Sequence, residues 1–307
     1  MLLSPLMTQE NLIGRTVAGY TLKQRIGEGG TANVYKAIHP EKGECAVKIL
    51  KPRLRNDENA RARFLRESEY GARVKHEYVV QTYGFGEDDE LYYLALEWAE
   101  GMPLADFARR SGKLSPELTS TIVTQLAGAL EAAHESRIIH RDLKPENIMF
   151  DPETKSVKLL DFGIARDAEA DPAQRLTRTG FFVGTLQYVA PETLSGELVG
   201  PSADIYSLAT ITYYLLTQAH PFQGRSPREL FSQLLSADPV PLNQAVKGLK
   251  FSSALEDAVM QALQKDPDSR PKTVTDFADK FREAVEQGGS RGASGFLGTV
   301  RSFLKKN

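Results

Sequence analysis

Cysteine is nearly absent from the 307-residue sequence: Cys45 stands alone. No disulfide can form within the chain, and a lone thiol suits a reducing compartment, so a cytoplasmic protein is expected. Long apolar runs are missing too. None approaches the roughly 18 residues that span a bilayer, and Met1-Leu2-Leu3-Ser4-Pro5 lacks the basic flank and apolar length of a secretory signal. An excess of either charge is also lacking. The 38 Lys and Arg residues face 40 Asp and Glu residues, a formal charge of −2. Nothing in that balance draws the chain to DNA, RNA or an anionic membrane, and no nucleic-acid partner is expected. There is no internal repeat. What is present, 41% apolar residues over 307 positions, suffices for a folded protein of two lobes.

The pattern changes once along the chain. From Tyr20 to Glu97 it is mostly period-two. Thr21–Ile26, Asn33–Ile38, Glu44–Leu50, Val79–Phe85 and Leu91–Glu97 read as a five-stranded, mainly antiparallel sheet. One helix, about Asp57 to Val74, interrupts it, opened by the cap candidates Asn56 and Asp57. After Gly101 helical patterns dominate: Ser115–Glu135, Ser202–Thr217, Pro227–Leu235, Ser252–Gln264 and Thr273–Glu286. Two short strands, Ile148–Phe150 and Val157–Leu160, lie between them, joined by the turn-forming Asp151-Pro152-Glu153-Thr154. A small β lobe followed by a larger α lobe predicts a site near their junction at Glu97 to Gly101. The stretch after Gly288 carries Arg291, Arg301, Lys305 and Lys306 with no acid, and Phe296, Val300, Phe303 and Leu304 are spaced for one helical face. Such a segment either rests on a membrane surface or partner, or is only a frayed Gly/Ser linker.

Three motifs carry chemistry. Gly27-Glu28-Gly29-Gly30-Thr31-Ala32-Asn33-Val34 sits between two strands, where a loop short of Cβ atoms lets backbone N–H groups approach phosphate oxygens. Glycines between strands also make plain hairpins, and the dinucleotide fingerprint is excluded because Val34-Tyr35-Lys36-Ala37 continues as a strand rather than a helix. Lys48 lies in an apolar strand, where an ammonium needs an anion. Glu67, three residues after Phe64 and four before Gly71, shares the inward face of the helix and can supply one. In His140-Arg141-Asp142-Leu143-Lys144-Pro145-Glu146-Asn147, one short loop gathers a carboxylate able to accept a hydroxyl proton, a cation for a moving phosphoryl group and an amide oxygen for Mg²⁺. Asp161-Phe162-Gly163 follows an apolar strand and offers a second hard-cation ligand.

Together these motifs resemble the eukaryotic-like serine/threonine protein kinases of bacteria, from about Tyr20 to Val285. The resemblance implies an α+β, two-lobed protein kinase fold: a β lobe over 20–100 with one helix and a mainly α-helical lobe over 101–285. Residues 1–19 would form an N-terminal extension and 286–307 a flexible basic tail. It implies that ATP is covered by the loop of Gly27, Glu28, Gly29, Gly30, Thr31, Ala32 and Val34, that Lys48 binds the α- and β-phosphates, and that Glu67 holds Lys48. Asp142 would be the catalytic base and Lys144 would contact the γ-phosphate. Asn147 and Asp161 would hold Mg²⁺, or Mn²⁺ in its place. Glu97-Trp98-Ala99 matches the family's adenine-binding hinge with Leu96 just before it, and the implied nucleotide site takes in Ala46 and Met149.

The third glycine of the family loop is Ala32 here, which predicts a stiffer loop rather than an inactive one. Ala190-Pro191-Glu192 and Arg270 resemble the family's structural ion pair. Asp204 would anchor the catalytic-loop backbone, at the start of a helix apolar nearly all round. Lys144 and Gly184-Thr185 point to Ser/Thr hydroxyls of protein substrates. Arg141 is expected to pair with Thr177 or Thr179 once these are self-phosphorylated. A β-lobe homodimer is a further implied partner. Two other readings stay open: a pseudokinase scaffold, against which stand Lys48, Glu67, Asp142, Asn147 and Asp161, and a small-molecule phosphotransferase, against which stands Ala190-Pro191-Glu192.

Overall fold

Alternation of apolar and polar residues in the first hundred positions builds strands because period-two side chains reach opposite faces of a pleated sheet. The computed structural model describes residues 11–161, 186–195 and 199–303, with side chains through residue 288. The chain divides into two units, one of residues 1–75 and 80–99, the other of residues 76–79 and 100–307.

The first unit is a six-stranded antiparallel sheet in the order β1-β2-β3-β4-β6-β5. The strands are β1 (Thr16–Val17), β2 (Tyr20–Glu28), β3 (Ala32–His39), β4 (Gly43–Leu50), β5 (Thr82–Asp88) and β6 (Leu91–Glu97). Five were expected, and the sixth is the two-residue β1, too short to leave a periodic signature. Leu12 and Val17 enter the same core as Leu22, Tyr35, Val47 and Ala95, so residues assigned above to an N-terminal extension contribute to the sheet. Their segment is fastened by an Arg15–Asp89 ion pair and by the Ala18 N–H donating to Asp88 Oδ2 at 2.5 Å.

The fifth strand begins at Thr82 rather than Val79, because Val79 bridges in parallel to Leu159 within the second unit. Helix α1 (Glu58–Arg73) starts where Asp57 caps the Ala60 N–H at 3.1 Å. It buries Ala60, Phe64 and Ser68 and packs across β5 and β6.

The second unit holds a three-stranded sheet, β7 (Met102–Pro103), β8 (Ile148–Asp151) and β9 (Ser156–Leu159), in that order. Its helices are α2 (Leu104–Ser111), α3 (Pro116–Glu135), α4 (Pro191–Ser195), α5 (Ser202–Thr217), α6 (Pro227–Ser236), α7 (Ser253–Ala262) and α8 (Val274–Phe303). The start signals operate as the sequence predicts. Ser115 caps α3, Ser252 caps α7, and Thr273 and Asp276 exchange hydrogen bonds across the first turn of α8. Helix α5 is buried on almost every side. Pro103 directly before an eight-residue amphipathic stretch hid α2 from sequence reading. Helix α8 continues past Glu286 to Phe303, where a flexible tail was expected; the helical spacing of the apolar residues there prevails over the glycines between them. No described helix is long and apolar enough to cross a membrane. The α+β class expected from the sequence is the class observed.

Candidate active site

In the first unit, strand register gathers the residues expected to face a nucleotide. Gly27 pairs with Val34, Val34 with Lys48, and Lys48 with Leu94; in the next row, Lys36 pairs with Ala46 and Ala46 with Leu96. Cross-strand partners share a face, so Val34, Ala46, Lys48 and Leu96 lie on one side of the sheet. The opposite side carries Tyr35, Ala37, Cys45, Val47 and Ala95, which form the core. The core row is closed; on the other side Leu94 and Leu96 are buried as well, whereas Val34, Ala46 and Lys48 are only half-buried. Glu67 is half-buried on the inner side of α1, next to Ser68. Glu97 accepts the Gln81 N–H at 3.0 Å and donates its own N–H to Gln81 O at 2.8 Å, which fixes the segment leading to Trp98 and Ala99. Ile26, exposed beside Gly27 where a bulge interrupts β2, is an apolar surface that alternation did not single out.

The glycines of the loop test whether a phosphate group fits. A Cβ at Gly30 would meet nothing within 4 Å, and at Gly27 and Gly29 it would make only ordinary contacts; none of the three has a positive φ. The protein itself therefore has no need of glycine there, unlike a tight hairpin. The open space suits a group approaching the backbone from outside. Ala32 sits opposite Leu50 with its methyl buried and no positive φ, so the departure from the family pattern is accommodated without strain.

The second unit places the catalytic loop. Asp204 is fully buried at the start of α5. Its Oδ2 accepts the His140 N–H at 2.9 Å and lies 2.8 Å from His134 Nε2, and its Oδ1 accepts the Arg141 N–H at 3.0 Å. Burial alone would raise the Asp204 carboxyl, but the hydrogen bond and charge of His134, with His140 and its backbone N–H, hold it below the usual aspartate range. His140 is pushed down by burial and so stays neutral. Arg141 adopts φ +61°, a conformation costing about 1–3 kcal/mol in a non-glycine residue, and the Asp204 bond to its N–H secures it.

Beyond this anchor, Lys144 Nζ lies 3.0 Å from Asp142 Oδ2. The Asn147 amide nitrogen donates to Asp142 O at 2.9 Å and to Asp142 Oδ2 at 3.1 Å. Those two bonds fix the amide orientation, since the flipped form would set oxygen against oxygen, and they leave Asn147 Oδ1 as a hard-cation ligand. The Leu160 N–H donates to Asn147 O at 2.9 Å, so Asp161 emerges exposed one residue from that contact. Met149 is half-buried on β8 opposite Pro103 and Lys158. The oxygen donors of Asn147 and Asp161 fit Mg²⁺ chemistry. Phe162, Gly163, Thr177, Thr179, Gly184 and Thr185 lie outside the described residues.

The Glu192–Arg270 pair is buried and bidentate, at 2.7 and 2.8 Å. Arg270 also donates to the carbonyls of Ser202, Gln264 and Lys265, so all five guanidinium N–H groups are used. Sequence reasoning missed His134, the third donor to Asp204: a single histidine at a helix end carries no signal of a partner 70 positions away. It also missed Gly101, whose φ is +90° and whose Cβ would stand 2.2 Å from Phe150 O.

With this geometry in place, comparison with known proteins is decisive: residues 20–282 match the protein kinase domain family. The chain belongs to that family. It is 34% identical over 298 residues to the serine/threonine-protein kinase pkn3 of Myxococcus xanthus, covering 93% of this chain and 54% of that protein. It is 37% identical over 272 residues to PknF of Mycobacterium tuberculosis, covering 86% and 56%. To PknB of the same organism it is 36% identical, covering 86% and 42%. The chain thus spans about half the length of the curated relatives it matches. Among solved structures, the M. tuberculosis PknI kinase domain is similar, with TM-score 0.68 and 30% identity, covering 88% of this chain and 98% of that one. Family membership accounts for ATP and a divalent metal as the expected reactants of this kinase domain.

Proposed function

We propose that the chain is an ATP-dependent serine/threonine protein kinase. The observation that carries this reading is the Asp142, Lys144 and Asn147 cluster, held by a buried Asp204. Asp142 accepts the proton of the acceptor hydroxyl as that oxygen bonds to the γ-phosphorus; the bond to the β–γ bridging oxygen breaks, and its electron pair leaves with ADP. Lys144, beside Asp142, neutralises charge on the moving phosphoryl group. In the first unit Gly27, Glu28, Gly29, Gly30, Thr31, Ala32 and Val34 would lie along the phosphates, Lys48 oriented by Glu67 would bind them, and Ala46, Leu96, Glu97 and Ala99 would take the adenine. Asn147 and Asp161 would hold Mg²⁺ or Mn²⁺, which when bound neutralises phosphate charge.

A protein acceptor is favoured by the Glu192–Arg270 clasp, which fastens the end of a segment long enough to support a peptide. Self-phosphorylation at Thr177 and Thr179, a cytoplasmic location, and partner contacts through the C-terminal segment or a β-lobe pair belong to the same proposal. The test is transfer of label from γ-labelled ATP to generic protein and to small alcohols, with Asp142→Asn and Lys48→Met as controls. Labelled protein with wild type and none with either variant is expected. Label on the alcohols alone would overturn the protein-kinase reading.

A further inference from the structure

The glycine-rich loop has open space around it, yet it is fastened from outside by charged groups that belong to no nucleotide-binding motif. Glu28 Oε1 accepts Lys51 Nζ at 2.7 Å, and Glu28 Oε2 pairs with Arg25, which also donates to Asn33 Oδ1 at 3.0 Å. At the tip, Arg53 Nη2 donates to Gly30 O at 3.0 Å and the Lys51 N–H donates to Thr31 O at 2.9 Å. The connection from β4 to α1 thus holds both the base and the tip of the loop.

We propose that Lys51, Arg53 and Arg25, acting through Glu28 and the loop carbonyls, are positioning residues that set the resting shape of the glycine-rich loop and thereby its affinity for ATP. The proposal rests on the kinase reading above. Two features favour it over a scatter of surface ion pairs. First, the Lys51 side chain is only 13% exposed against 52% for Glu28, so the lysine end of the contact lies against the protein rather than ranging freely in solvent. Second, the charges suit a triphosphate. A lone carboxylate at Glu28 would repel phosphates, but Lys51 and Arg25 pair with it and Arg53 stands at the loop tip, so cations outnumber the carboxylate there. The Lys51 hydrogen bond, with Arg25 nearby, holds the Glu28 carboxyl below the usual glutamate range, so the tether persists at neutral pH.

The test combines hydrogen exchange of the loop amides, Gly29 to Ala32, in the nucleotide-free full chain with steady-state kinetics. Lys51→Met should speed exchange and raise KM for ATP about fivefold, with kcat and the acceptor KM within about twofold, and Glu28→Ala should speed exchange to the same extent. The double variant should be no worse than either single, and Lys51→Arg should stay near wild type. Additive effects, equal losses in Lys51→Arg and Lys51→Met, or unchanged exchange would overturn the tether. If exchange responds as expected while wild type transfers no phosphoryl group, the tether stands and the kinase reading is what fails.

Discussion

The glycine-rich loop and the catalytic loop are fastened by opposite means. The first, in the sheet unit, has room inside and ion pairs outside, in solvent. The second, in the helical unit, hangs from a carboxylate fully removed from solvent, with His134, His140 and Arg141 all directed at Asp204. Breaking a buried charged contact costs about 3–5 kcal/mol, whereas an exposed pair contributes about 0–1 kcal/mol. The stiff fastening lies where a displacement of about 1 Å can cost 10²-fold in rate, and the soft one where a covering loop has to admit and release a nucleotide.

The largest expected effect comes from removing the stiff fastening. Asp204→Ala leaves two backbone N–H groups and an imidazole without their acceptor, and frees Arg141 from its φ of +61°. Loss of about 3–5 kcal/mol in urea unfolding and a fall of at least ~10² in kcat should follow. A stable variant with wild-type turnover would break the contrast between the two loops. Next comes Gly101→Ala. Its backbone conformation alone costs about 1–2 kcal/mol with a Cβ, and the 2.2 Å approach to Phe150 O forces the chain apart as well. Poor expression or a melting temperature lowered by several degrees is expected, and wild-type melting would contradict the close approach.

Legibility in the sequence follows the same divide. Local groupings were readable: Asp142, Lys144 and Asn147 meet within one loop, Ser115 and Ser252 announce their helices, and α5 declares its burial by being apolar on all sides. Rows such as Val34–Lys48–Leu94 were implied by alternation once register was known. What escaped depends on distant neighbours. Gly101 is required by a carbonyl at position 150, His134 by a carboxylate at position 204, and β1 by a core that Leu12 and Val17 enter from outside the periodic region. Helix α2 escaped for a local reason, since Pro103 reads as a stop while in fact it precedes the first turn.

Burial elsewhere in the helical unit also predicts a pH response. His220 stacks on Tyr214 and meets Tyr188 edge-on, with its Nδ1 buried and without a hydrogen-bond partner. Burial pushes its imidazole down to about 4, while in the unfolded chain it titrates near ~6.5. The unfolded state therefore takes up a proton first as pH falls. Stability from this site is complete above ~6.5 and declines towards pH 4, by up to ~3 kcal/mol. His220→Phe should flatten the stability profile over that window, and an unaltered profile would show that the ring is not shielded.

The smallest change in stability, and the sharpest test of the contrast, is Gly30→Ala. Gly30 has no positive φ and nothing within 4 Å of an added Cβ. Alanine at such a site lowers the entropy of the unfolded chain and stabilises by about 0.4–1 kcal/mol. The same methyl would occupy space that phosphate oxygens need to approach the backbone. Stability and nucleotide affinity should therefore move in opposite directions: a slightly higher melting temperature with a several-fold higher KM for ATP. At Gly101 the identical substitution lowers stability because the protein itself fills the space. A destabilised Gly30→Ala with unchanged KM would mean that both glycines serve the fold, and that the open side of the loop is not kept clear for a ligand.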